Sequence, residues 1–119
     1  MGERHILAAY NNDTATFHLQ LLTKTLDMQK YPFIKLIIER TITNEEYDEL
    51  FHLLHTLNSK YEVQKEDGLL DFSSLLIHFA GMLNEKLDPN ETIFALKAEG
   101  YFVELMNTFI KIIEEDGRK

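Results

Sequence analysis

Apolar residues recur along most of the chain at intervals of three and four, the spacing that lines one face of a helix. The longest such run opens at Thr43, where Glu46 three residues later makes a capping box, and continues to about Glu66. Its stripe is Tyr47, Leu50, Phe51, Leu54, Leu57 and Tyr61, and Gly68 is its stop signal. Asp71 is placed to cap the next helix, which carries Phe72, Leu75, Leu76, Phe79, Met82 and Leu83. Another starts with Asp88 as cap and Pro89 in its first position, with Glu91 spaced to complete a second box, and runs to about Glu99 before Gly100. The last spans about Tyr101 to Glu115 with Phe102, Leu105, Met106, Phe109, Ile112 and Ile113 as its stripe. Upstream, Pro32 to about Glu39 is apolar almost all round and is predicted to be buried, and a first helix runs from Asp13 or earlier to about Leu26.

The pattern predicts an all-α, single-domain bundle of about six helices over residues 1–119, with residues 1–12 as the stretch into which the first helix can extend. Neither repeat nor linker interrupts it, and short connections make neighbouring helices antiparallel or steeply crossed. The stripes of the four later helices place Phe51, Leu54, Phe79, Leu83, Leu105 and Phe109 near the centre of one core. Gly81, inside an apolar helix, is expected to let another helix approach closely.

Composition narrows the functional classes. Twelve Lys and Arg against 20 Asp and Glu leave a net charge of −8, with the basic residues scattered and the densest run, Glu45-Glu46-Tyr47-Asp48-Glu49, acidic. Neither nucleic acid nor an anionic membrane surface suits such a chain. The two helices flanking Gly100 look like a DNA-reading pair. Between Asp88 and Glu115, however, six acidic residues stand against Lys97 and Lys111 alone. With no cysteine there are no disulfides or thiolate sites, and the apolar stretch Ile6 to Tyr10 is too short for a leader or a span. Gly2 lacks the Ser or Thr of an acylation signal at position six, which is Ile6. A cytoplasmic protein is expected.

The stretch Phe79 to Leu96, with Gln20-Leu21-Leu22, Lys24-Thr25, Asp27-Met28, Tyr31-Pro32-Phe33 and Glu104-Leu105-Met106, resembles the YhaI-like family, small uncharacterised helical proteins of Gram-positive spore-forming bacteria. The matched spacings run from about Phe17 to Ile113. The chain departs at its N-terminus, where that family's leading helix is charged and continuous and this one has Asn11-Asn12-Asp13. The resemblance implies a multihelical, oligomeric fold of unknown function and brings no catalytic residues with it.

Candidate chemistry is sparse. Asp48, His52 and His55 follow at i, i+4 and i+7 on one helix face, with Glu45 a turn earlier. They are weak candidates for zinc or nickel, because acidic residues belong in a first helical turn in any case and a fourth ligand is not visible. His78 reads as a hydrogen-bonded packing histidine, and His5 and His18 carry no signal. Ser59, Ser73 and Ser74 stand in no nucleophile motif, and no phosphate-binding loop, zinc-protease helix or dinucleotide fingerprint occurs. No enzyme, cofactor or catalytic residue is therefore expected.

What the pattern does suggest is self-association. On a helical wheel Leu7, Tyr10, Thr14, Phe17 and Leu21 form one stripe, and Ala15, Leu19, Leu22 and Leu26 form another well over 90° away. One stripe can serve the chain's own core, leaving the other for a second or third copy. The expectation is a non-enzymatic homo-oligomer, trimer or dimer, with Leu7, Tyr10, Phe17 and Leu21 at its interface, that presents a surface to a protein partner. The alternative is a metal- or small-molecule-binding regulatory protein using the Asp48, His52 and His55 face or a pocket beside Gly81.

Overall fold

A computed structural model of the chain describes residues 12–25 and 30–117. All of the regular structure in these residues is helical: α1 Asn12–Thr25, α2 Pro32–Glu39, α3 Asn44–Glu66, α4 Ser73–Met82, α5 Pro89–Ala98 and α6 Val103–Gly117. The architecture is all-α and single-domain, as the periodicity predicts. Leu7, Tyr10 and Leu26, named in the predicted stripes of the first helix, lie outside the described residues, and so does its predicted extension except for Asn12.

The helix ends show why these segments stop where they do. At α3 the Thr43 hydroxyl accepts from the Glu46 N–H at 3.1 Å while the Glu46 carboxylate accepts from the Thr43 N–H at 2.9 Å, so the predicted capping box is complete. The helix closes at Gly68, whose φ of 86° lets the Leu69 N–H turn back to the Gln64 carbonyl. Gly100 does the same for α5, through Tyr101 and Leu96. The same closure ends α2, through the Ile42 N–H and the Ile37 carbonyl, but there the left-handed residue is Thr41, with φ 53°.

Two predicted caps differ in detail. Asp71 accepts from the Ser73 N–H at 2.9 Å in a tight turn, so Phe72 rather than Asp71 is the residue that precedes α4. Asp88 caps α5 through the Glu91 N–H at 2.9 Å, but the Glu91 carboxylate faces Arg40, 3.4 Å away, and the box stays half made. The start of α2 uses a cap from elsewhere in the chain. Tyr31 supplies none, and the Glu99 carboxylate at the end of α5 accepts from the N–H groups of Phe33 and Ile34.

In the core, α5 packs on α2 and α6, and α4 packs on α3 and α6. Leu54, Leu57, Phe79, Ile93, Leu96, Leu105, Met106 and Phe109 are fully buried, with Phe33 almost so. Four of the six residues predicted at the centre are there, whereas Phe51 and Leu83 are only partly buried at its margin. Met82, predicted to face inward, is 65% exposed, and Ile110 rather than Ile112 is buried on α6. In α2, Phe33 and Leu36 are buried but Ile34 is exposed. Gly81 does not mark a close helix approach, since a Cβ placed there would meet nothing within 4 Å.

A polar clasp ties the α2–α3 corner to the α4–α5 loop. The Glu46 carboxylate accepts from Lys86 Nζ and from Asn84 Nδ2, each at 2.8 Å, and Lys86 Nζ also reaches the Thr41 carbonyl at 3.2 Å. Lys86 first, then the Thr43 N–H and Asn84, hold the Glu46 carboxyl down at about 2, against 4.5 ordinarily.

Two expectations follow for stability. A carboxyl whose folded value is depressed contributes stability that is fully present above about pH 4.5 and lost as the pH falls towards 2. Urea midpoints measured across that window should therefore fall, and Glu46→Gln should flatten the fall. Glu99→Ala, which uncaps α2, should lower stability by about 0.5–2 kcal/mol with helix content unchanged, measured by urea titration.

Candidate functional site

The two flanks of α3 meet different neighbours. On one flank, Tyr47 and Phe51 join Phe33 of α2 and Tyr101 of the α5–α6 turn in an aromatic cluster, with ring centroids 4.7–6.3 Å apart. Burial, with Tyr101, Asp48 and Glu99 adding to it, pushes the Tyr47 phenol up. His55 belongs to this flank, edge-on to Phe102 at 5.0 Å. Phe102 sits at φ 49°, a left-handed conformation that a side chain rarely adopts, at the turn into α6.

The other flank opens onto a groove of about 570 Å³ between α3 and α4. Asp48, Glu49, His52, Leu53 and Thr56 line it from α3, and His78 and Met82 from α4. Its volume falls within the range of small-molecule clefts, about 300–1,000 Å³. The side chains of Asp48, Glu49, His52 and His78 make no hydrogen bond or ion pair with any described residue. His78 is therefore a groove residue, not the hydrogen-bonded packing histidine that its apolar helix suggested.

Asp48, His52 and His55 do not converge. His52 lies about 40° ahead of Asp48 on the wheel and His55 about 20° behind it, and α4 and Phe102 draw the two imidazoles apart. Among the described residues no group of three or more His, Asp and Glu side chains is placed to hold a metal ion. Sequence reasoning missed Glu49, Leu53 and Thr56 as groove residues. Their i, i+4, i+7 spacing is a second strip beside Asp48 and His52, visible only once α4 shows which side it covers.

A second surface lies on α1, where no residue is buried. Phe17 and Leu21 on one stripe are 55% and 42% exposed, and Leu19 and Leu22 on the other 46% and 58%. Among the described residues of α1 neither stripe is buried in the chain's own core. No helix among the described residues is long and apolar enough to cross a membrane.

Compared with known families, residues 11–114 match the one described as "Protein of unknown function (DUF1878)", and the chain belongs to that family.

The separation of the two histidines is measurable. His55→Ala removes the edge contact with Phe102 and should cost about 0.5–1.5 kcal/mol, whereas His52→Ala, in the open groove, should stay within about 0.5 kcal/mol of the parent in urea titrations.

Proposed function

We propose that this DUF1878 protein works by self-association through α1 and by presenting a helical surface to a protein partner, without catalysing a reaction. The observation that carries the reading is a 14-residue helix with four large apolar side chains exposed on two faces and none buried. Isolated apolar side chains on a surface are ordinary, but a whole helix with both stripes uncovered is surface that association removes from water. A dimer or a trimer both suit two stripes on one helix, since each stripe then has a neighbour. The resemblance to YhaI-like proteins of Gram-positive spore formers supports the same assembly and a bacterial origin, and the lack of cysteine fits a cytoplasmic setting. The acidic surface, with no clustered lysine or arginine, speaks against nucleic acid and anionic membranes as partners.

The competing reading is a regulatory protein that binds a small molecule or metal on the Asp48–His52 face. In its favour, four unpaired titratable side chains line one groove. Against it, His55 packs edge-on to Phe102 and does not line the groove.

Light scattering on purified protein should give a mass of two or three times the 14.0 kDa chain at micromolar concentration. Phe17→Asp combined with Leu21→Asp should reduce it to one chain without loss of the folded core. A monomeric parent protein would overturn the reading.

A further inference from the structure

We propose that the groove between α3 and α4 receives α1 of a second copy of this chain, antiparallel to α3, with Lys24 on Glu49 and Asp13 on Lys60 at its two ends. The inference rests on self-association through α1 and names the surface that takes it.

The two helices carry matching patterns. Along α3 the side that faces the groove reads Glu49, Leu53, Thr56 and Lys60, at i, i+4, i+7 and i+11, with Lys60 one turn beyond the lining residues. The Phe17 face of α1 reads, in reverse, Lys24, Leu21, Phe17 and Asp13, which also spans eleven residues. Each span is about 16 Å of helix. Laid antiparallel, base meets acid at one end, acid meets base at the other, and Leu21 and Phe17 fall over Leu53, Thr56 and Met82. Turned the other way, Lys24 meets Lys60 and Asp13 meets Glu49. Charge therefore selects the direction, while the apolar middle supplies the affinity.

All four charged residues are exposed and none has an ion-pair partner among the described residues. Two unexplained surfaces, the uncovered helix and the unfilled groove, are then the two halves of one contact. Reciprocal exchange closes a dimer, and head-to-tail exchange closes a ring of three. Leu19 and Leu22 remain on the outer face of the docked helix, where copies of α1 can meet one another.

Charge reversal tests this in the full chain. Lys24→Glu and Glu49→Lys should each weaken association about tenfold or more, measured by analytical ultracentrifugation, because each puts like charges together. Combining the two changes in one chain should restore association. Mixing the two single variants should also raise it above either alone, since Glu at position 24 of one copy then meets Lys at position 49 of the other. Circular dichroism spectra like the parent's would show that these exposed changes leave the fold intact. Recovery in the double variant without recovery on mixing would place α1 in the groove of its own chain and overturn the proposal. An oligomer indifferent to Glu49→Lys would overturn the groove assignment while leaving self-association standing, and a monomeric parent would remove both.

Discussion

The carboxylate of Glu99 at the start of α2 is the contact on which the arrangement around α3 depends. An eight-residue helix is too short to persist alone, and α2 opens on Pro32 with no cap from its own neighbours. Glu99 takes up the N–H groups of Phe33 and Ile34 from a position 66 and 65 residues further along, with a negative charge at the positive end of the helix. One of the bonded N–H groups belongs to Phe33, whose ring touches Tyr47, Phe51 and Tyr101. The aromatic cluster settles which flank of α3 is occupied. α4, packed on α3 and α6, then leaves the opposite flank as a groove.

The second fastener works at the other end of the same corner. Thr41 ends α2 in a left-handed conformation that costs a side chain about 1–2 kcal/mol, and Lys86 binds its carbonyl while also holding Glu46. A capping residue is thus also the anchor of a loop 40 residues away. The charge on Glu46 serves the helix start and the tertiary fold together, which explains why its proton affinity is so low for a side chain at the surface.

Local signals were readable in the sequence. Pro32–Glu39 and the capping box at Thr43 appear as the pattern places them, and the stops at Gly68 and Gly100 are real, because each depends on residues within four or five positions. What could not be read depends on partners far along the chain. Glu99 looks like the tail of α5, Thr41 carries none of the marks of a helix stop, and Gly81 suggests a close packing that no neighbour provides. The candidate site failed in the same way. Helical spacing correctly puts Asp48, His52 and His55 within about 60° of one another, yet whether neighbours gather or divide them is decided by α4 and by the turn at Phe102.

Among the described residues the core closes without α1: its buried members run from Phe33 to Ile110, and every one belongs to α2–α6 or the loop before α5. Nothing in that core requires the first helix, so what α1 requires must be sought outside it. Its sequence is a poor helix former, with four threonines, three of which hydrogen-bond to carbonyls three or four residues earlier. At 14 residues it lies in the range where even good helix formers are marginal in water. Weak intrinsic propensity and two uncovered apolar stripes point the same way, because a helix of this kind draws its stability from the surface it packs against. In the proposed assembly, ordering α1 and burying it would be a single event, with the affinity reduced by the cost of that ordering. A core built from α2–α6 would let α1 dock or release there without unfolding the rest, so concentration would govern association separately from the fold.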